Sequence, residues 1–300
     1  YTKANTRYFV FTLFPWLQIA LLAVVAWYPA SILFSLWNPI GAPNAAMVAP
    51  IGLAIFILLL RWPGRRWRLQ QALDDWIFSF DFIHGRRADI EARLNAFAER
   101  LVACIREGGV DEVVIVGHSL GATFAVDIAA RALEMDQDLG RRGIKVSVVT
   151  VGATIPKCAL HPDAQRIRDQ IARLATEPSL FWAEYQSRSD PISFYRFNPA
   201  TLSRITSEEA TINSKPTIRR TQIHDMLKPE TFAKYKFRVL RLHYQSVMAN
   251  DRRSAYDYFM LICGPVALEQ WSLSKLGLLD FFHHAEDARI TSHDGSKAAP

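Results

Sequence analysis

The chain has 300 residues, half of them apolar, with a net charge of +6 and a pI near 9.3. This length suits one large domain or two ordinary ones, and the apolar content suffices for a sizeable core. Three cysteines, far apart in the sequence, give no disulfide framework. The positive charge suits an anionic membrane surface or a nucleic acid. No nucleic-acid-binding motif accompanies the basic residues, so we do not expect a nucleic-acid partner.

The composition of the first sixty residues favours insertion into a lipid bilayer. No side chain between Phe9 and Leu60 is charged. Residues 8–37 form an apolar stretch long enough to cross a hydrocarbon core of about 30 Å. Turn residues at 38–44 end it, and a second apolar stretch at 45–60 lies near the lower length limit for a span. These features predict a two-helix transmembrane hairpin within residues 1–68. The alternatives are a single or re-entrant span, a signal peptide, and a buried soluble hairpin.

Basic residues flank the two apolar stretches. Lys3 and Arg7 precede the first stretch, and the intervening loop has no Lys or Arg. Four arginines follow the second: Arg61, Arg65, Arg66 and Arg68. The positive-inside rule then places both ends of the hairpin, and the domain after it, in the cytoplasm. We expect a multi-pass protein of the cytoplasmic membrane, with its basic run against membrane lipids.

Strand-like and helix-like patterns alternate after the basic run. Apolar and β-branched runs predict strands at 76–83, 113–116, 144–151, 180–186 and 236–242. Helical spacing predicts helices at 90–105, 121–135, 164–174 and 255–262. This alternation predicts a mostly parallel α/β sheet with helices on both faces, in a domain at 69–282. Residues 191–230 are less regular and suit a lid or insertion, and residues 283–300 suit a disordered tail.

One motif carries chemistry. The run Gly117-His118-Ser119-Leu120-Gly121 contains G-x-S-x-G and lies between a buried apolar strand and an apolar helix. That context is the one a nucleophile elbow requires, in which a sharp turn exposes the serine hydroxyl at the start of a helix. Ser119 is therefore the candidate nucleophile. The backbone N–H of Leu120 is a candidate oxyanion donor.

On this motif, the chain resembles the α/β-hydrolase superfamily, within its lipase- and esterase-like branch, over about residues 73–265. The resemblance implies a Ser–Asp–His triad in that chain order and hydrolysis of an ester or thioester. We expect no cofactor and no metal. The layout is also similar to a little-characterised bacterial group of membrane-associated hydrolases with a hydrophobic hairpin before the elbow. That closer resemblance includes the segment from Arg241 to Phe259.

Chain order then selects partners for Ser119. Asp190 follows a predicted strand and is the expected acid, whereas Asp163 is better explained as a helix cap. His243 ends the last predicted strand and is the expected base, with His224 as the alternative. Gly85, after the predicted strand at 76–83, is a weaker candidate for a second oxyanion donor.

The predicted function is a membrane-anchored serine hydrolase that cleaves an ester through an acyl-enzyme. The substrate is a small-molecule ester or a lipid that reaches the site from the bilayer. A thioesterase or an acyltransferase with the same triad is a second possibility. A third is a non-catalytic α/β-hydrolase-like interaction module, because a fold does not guarantee activity.

Overall fold

The computed structural model describes residues 6–37, 45–66, 68–205 and 215–281. Within it the chain forms two compact units, which divide between Phe82 and Ile83. The first unit is helical, and the second contains the sheet. The predicted tail at 283–300 and the predicted turn at 38–44 lie outside the described residues.

The first unit consists of helices α1 (Thr6–Trp37), α2 (Ala45–Arg61), α3 (Pro63–Arg66) and the greater part of α4 (Leu69–Ile83). A stripe of small and large apolar side chains on α1, four residues apart, is buried: Leu22, Ala26, Ala30 and Phe34. Ala30 and Phe34 pack against Val48 of α2. The rest of α1 exposes large apolar side chains, so this helix is not amphipathic in the manner of a soluble one.

One helix in the described residues is long and apolar enough to cross a membrane, over Thr12–Trp37. The second apolar helix, Ala46–Arg61, is shorter than the length this criterion requires. Length and composition alone therefore support one candidate span and leave the predicted transmembrane hairpin unconfirmed.

The second unit alternates helices and strands. The chain runs through α5 (Ala88–Glu107), β1 (Glu112–His118), α6 (Gly121–Met135), β2 (Lys145–Val151), α7 (Ile155–Ala159), α8 (Gln165–Thr176) and β3 (Leu180–Ser187). It continues through β4 (Phe197–Asn198), β5 (Ser203–Arg204), β6 (Thr217–Thr221), α9 (Ile223–Met226), α10 (Pro229–Tyr235), α11 (Val239–Gln245), α12 (Tyr258–Cys263) and α13 (Leu268–Leu273). The predicted elements from 90 to 186 are confirmed, with ends shifted by a few residues.

The main sheet has four parallel strands in the order β1-β2-β3-β6. The pairing is in register along β1 and β2, where Val113 lies opposite Val146 and His118 lies opposite Val151. Strands β4 and β5 form a separate antiparallel pair. Because all four main strands are parallel, their carboxyl ends lie at one edge of the sheet, where sites in α/β folds form.

Helices cover both faces of this sheet. On one face, Val149, Val151, Ala183 and Tyr185 join a core cluster with residues of α9, α11, α12 and α13. Helices α6 and α8 contribute nothing to that cluster and pack against β1, β2 and β3 from the other side. Near-continuous burial of β2 and β3 follows, as expected for strands covered on both faces.

Two predicted strands were wrong, and the lid or insertion at 191–230 stays a prediction. The segment at 76–83 is not a strand; it is the second half of helix α4. The segment at 236–242 is not a strand either, because the chain there leaves α10 and enters helix α11. The predicted insertion at 191–230 contains β6, a strand of the main sheet, whose Thr-Ile-Arg-Arg-Thr sequence lacks an apolar strand pattern. Pairing with β3 makes this segment a strand despite that composition.

A buried carboxyl group lies in the middle of β3. Glu184 Oε1 accepts a hydrogen bond of 2.6 Å from Gln186 Nε2, and Glu184 Oε2 accepts one of 3.2 Å from Thr150 Oγ1. Trp182 Nε1 donates to Thr150 Oγ1 at 3.1 Å. Burial raises the pKa of Glu184 from 4.5 to about 7, and the hydrogen bonds from Gln186 and Thr150 only partly offset it.

This pKa predicts a specific pH dependence of stability. Since the folded-state pKa lies above the unfolded one, Glu184 is neutral at little cost below pH 4.5 and lowers stability as the pH rises through 7. Glu184→Gln removes the ionisation, so we expect it to raise the free energy of unfolding at pH 8 by about 1–3 kcal/mol and to leave it little changed at pH 5. Urea unfolding of the detergent-solubilised protein at both pH values measures this difference.

Glu177→Gln serves as a control of opposite sign. Hydrogen bonds from Ser179 and the charge of Arg141 outweigh partial burial and lower the pKa of Glu177. Its contribution to stability is therefore present above pH 4.5 and lost as the pH falls. A Glu184→Gln protein less stable than wild type at pH 8 would contradict the assignment.

Candidate active site at the carboxyl edge of the sheet

Ser119 lies in a strained turn between β1 and α6. Its backbone φ is +57°, a region that non-glycine residues adopt rarely and at a cost of about 1–3 kcal/mol. Two backbone hydrogen bonds hold the turn against the end of β2. The Ser119 N–H donates to the Val151 carbonyl at 3.1 Å, and the Thr154 N–H donates to the Ser119 carbonyl at 3.2 Å. This is the backbone geometry expected of a nucleophile elbow.

The two glycines of the motif differ in what they permit. A Cβ atom added at Gly117 would lie 2.4 Å from the carbonyl oxygen of Gly121 and 2.6 Å from Cα of Ala122. Both are backbone atoms at the start of α6, so they cannot rotate away. A Cβ atom at Gly121 would meet nothing within 4 Å. A side chain is therefore sterically excluded at Gly117 and tolerated at Gly121.

Asp190 and His243 form a buried pair. His243 Nδ1 donates to Asp190 Oδ2 at 2.7 Å, and both side chains are almost fully buried. The other carboxylate oxygen, Asp190 Oδ1, accepts from the N–H groups of Ile192 (3.0 Å) and Ser193 (3.4 Å). When Nδ1–H donates to the Asp190 carboxylate, a neutral His243 presents Nε2 as an acceptor. That atom is buried and has no hydrogen-bond partner among the described residues.

His118 links this pair to Ser119. It precedes Ser119 in the chain, and its Nε2 lies 3.2 Å from the backbone carbonyl oxygen of His243. The His118 and His243 rings lie 4.6 Å apart between centroids. Burial, followed by the charge of His243, lowers the pKa of His118 from 6.5 to about 4. His118 is therefore neutral at pH 7, and its Nε2–H donates to the His243 carbonyl.

The backbone N–H of Leu120 is available at the same turn. Helix α6 begins at Gly121, so the N–H groups around this point lack intrahelical acceptors. In the described part of the chain, no acceptor takes the Leu120 N–H, whereas the N–H of Ala122 donates to the Ser119 carbonyl. Leu120 thus keeps a free donor beside the Ser119 side chain at a positive helix end.

Gly85 lacks the setting that motivated it as a second oxyanion donor. It follows helix α4 instead of a strand, and it adopts φ +66° in a turn. No strand precedes β1 in the described residues. The neighbouring His84 instead directs Nε2 to Asp163 Oδ2 at 3.2 Å. Asp163 therefore serves as a partner for His84, and the cap position of α8 is Ala164.

The other sequence candidate for the base lies elsewhere. His224 is exposed on the short helix α9, and its Nε2 lies 3.1 Å from Asp225 Oδ1. His243 lies on helix α11, so the expected residue reaches Asp190 from a different element than the predicted strand. His243 is buried, and the preceding Leu242 belongs to the core cluster on one face of the sheet.

Gly152 is a site residue that the sequence patterns did not single out. It follows β2 with φ +54°, and a Cβ atom there would lie 3.2 Å from Asp190 Oδ2 and 3.5 Å from His118 Nε2. A side chain at this position would therefore press on both the carboxylate and the imidazole. The sequence signal was present, since a glycine directly after a buried β-branched strand often marks such a close approach.

The turn glycines give a matched test. We expect Gly117→Ala to destabilise the protein by about 3 kcal/mol or to prevent folding, because backbone atoms leave no room for the methyl group. We expect Gly121→Ala to fold with a melting temperature close to that of wild type, because the added methyl group meets open space. Thermal unfolding followed by circular dichroism measures both. Equal effects of the two substitutions would contradict the described turn.

Comparison with known proteins adds one finding. A family model described as "Alpha/beta hydrolase family" matches residues 41–270. No curated protein and no solved structure matches the chain.

Proposed function

This chain belongs to the alpha/beta hydrolase family, and we propose that it is a serine hydrolase that cleaves a carboxylic ester through Ser119, Asp190 and His243. Beyond family membership, the proposal names Ser119 as the nucleophile, His243 as the base and Asp190 as the acid of the triad. It also adds an anchor that holds the enzyme at a membrane.

One observation carries the catalytic part of the proposal. The buried hydrogen bond from His243 Nδ1 to Asp190 fixes the imidazole so that its Nε2 is an unpartnered acceptor. Through His118, this imidazole is tied to the residue next to Ser119. A base oriented by a carboxylate and a serine on a strained turn are the two groups that acyl transfer requires, although no hydrogen bond joins Ser119 to His243 Nε2 among the described residues.

The proposed mechanism has two halves. His243 Nε2 takes the Ser119 hydroxyl proton while Oγ attacks the ester carbonyl, and the Leu120 N–H donates to the developing oxyanion. The imidazolium then gives its proton to the departing alkoxide, which leaves an acyl-enzyme. In the second half, His243 takes a proton from water, hydroxide attacks the acyl carbon, and the proton returns to Ser119. Asp190 stabilises the imidazolium throughout. A thioester substrate would react by the same steps. An acceptor alcohol in place of water would make the second half an acyl transfer.

A membrane anchor is the second part of the proposal. Helix α1 has one stretch suited to a span, and most of its apolar side chains point away from its packed stripe. We infer that α1 crosses the bilayer and that the shorter α2 completes a hairpin with both ends in the cytoplasm. The arginines after α2 support this orientation. The closer resemblance to the bacterial membrane-associated group stays a prediction.

A fluorophosphonate probe tests the catalytic residues. We expect the detergent-solubilised wild type to be labelled, Ser119→Ala not at all, and His243→Ala and Asp190→Asn at least about 10³-fold more slowly. His224→Ala is the matched control and should label as wild type does, because this exposed histidine lies away from the site. Intact-protein mass spectrometry measures the labelling rate, and circular dichroism checks folding.

The outcomes separate the alternatives. Labelling that persists in Ser119→Ala would refute the assigned nucleophile. A folded wild type that never reacts would support the non-catalytic module. Loss of labelling in His224→Ala but not in His243→Ala would show that His224, and not His243, is the base.

Membrane retention tests the anchor. We expect wild type to stay with the membrane fraction after an alkaline carbonate wash. Leu21→Arg combined with Val24→Arg should release most of it, because each arginine at the centre of a span costs about 3 kcal/mol. Phe97→Arg, on an exposed face of α5, is the control and should stay bound. Release of wild type by the same wash would contradict the anchor.

A further inference from the structure

One large apolar side chain of the second unit is unusually exposed to solvent. Phe237, in the connection between α10 and α11, is 85% exposed. No other large hydrophobic side chain of the described part of this unit exceeds 55%. Val239, two residues on, is exposed as well. A single exposed apolar ring is common on protein surfaces, so its surroundings decide whether it has a binding role.

Basic residues flank Phe237 in the chain, and one of them, Lys236, lies against its ring. Lys234, Lys236 and Arg238 are exposed, and none of them forms a salt bridge within the described residues. The Nζ atom of Lys236 lies 5.1 Å from the centroid of the Phe237 ring. We call residues 234–239 the basic aromatic segment. Between 228 and 241 the chain has five basic residues and one acidic residue, Glu230, so the segment carries positive charge that no described carboxylate balances.

The segment adjoins the candidate base. Helix α11 begins at Val239, the last residue of the segment, and carries His243 one turn later, about 6 Å along the helix axis. The Arg238 carbonyl accepts from the Leu242 N–H at 3.0 Å, which joins the segment rigidly to that first turn. The segment therefore leads directly into the helix that carries His243.

We propose that the basic aromatic segment docks on the anionic headgroups of a lipid bilayer, with Phe237 inserted at the interface. An exposed aromatic ring between lysine and arginine side chains matches a surface with negative phosphates above an apolar layer. These three exposed cations form no salt bridge within the described residues and supply the charge complementarity. The inference rests on the proposed ester hydrolysis, and it adds that the membrane presents the ester substrate.

The test places a reporter at the ring position of the full-length protein. In a Cys104→Ser and Cys263→Ser background, Phe237→Cys carries an environment-sensitive fluorophore. The protein is reconstituted in nanodiscs of phosphatidylcholine alone or mixed with phosphatidylglycerol. We expect quenching by spin-labelled lipid to be about fivefold stronger with phosphatidylglycerol, and Lys236→Glu with Arg238→Glu to abolish that difference. Phe97→Cys, 53% exposed on α5, is the control and should show no lipid dependence.

An activity measurement extends the test to substrate delivery. We expect Lys236→Glu with Arg238→Glu to raise the apparent KM for a long-chain ester in anionic nanodiscs at least about tenfold, because each basic residue near an anionic surface contributes about 1 kcal/mol. Arg93→Glu, on the same exposed face of α5 as Phe97, should leave that KM as in wild type.

Each result has one meaning. A fluorophore at position 237 that stays in water in anionic nanodiscs overturns the docking proposal, whether or not Ser119 reacts with the probe. Insertion without any esterase activity supports docking and refutes the proposed reaction. A fluorophore shielded in detergent in proportion to protein concentration means that a second copy of the chain covers the segment, which also overturns the proposal.

Discussion

The hydrogen bond of 2.7 Å between His243 Nδ1 and Asp190 Oδ2 joins segments 53 residues apart, and the rest of the candidate site is arranged around it. It fixes which imidazole nitrogen carries the proton and leaves Nε2 as the acceptor. Helix α11 has only seven residues, too few for stability on its own. The buried pair and the packing of Leu242 in the core are therefore what hold this helix, and with it the carbonyl that His118 contacts.

The strained turn at Ser119 depends on the sheet. A residue with φ +57° stays in that conformation only where surrounding contacts determine it. Here the end of β2 supplies an acceptor at Val151, and the segment after β2 supplies a donor at Thr154. The parallel register of β1 and β2 places these groups at the same edge as Ser119. Gly117 then lets α6 approach within a distance that any side chain would prevent.

Sequence patterns predicted β1, β2 and β3 well because each is rich in apolar, aromatic or β-branched residues between turn signals. They failed at 76–83 and 236–242, where short runs of aromatic and branched residues fit a strand or a buried helix face equally well. They missed β6 because its arginines fit no apolar pattern, and pairing with β3 decides its structure. The Ser–Asp–His order along the chain still selected Asp190 and His243. That order follows from the topology of the fold and does not depend on whether His243 lies on a strand or a helix.

The neutral state of His118 matters for the proposed chemistry. Acyl transfer requires His243 to become positively charged for part of each cycle. A second charged imidazole with its ring 4.6 Å away would oppose that step by about 4 kcal/mol at an effective dielectric constant of 20. Because burial and the charge of His243 lower the pKa of His118 to about 4, this opposition is absent at neutral pH. His118 can then sit against the base and position it through a hydrogen bond, without competing with it for a proton.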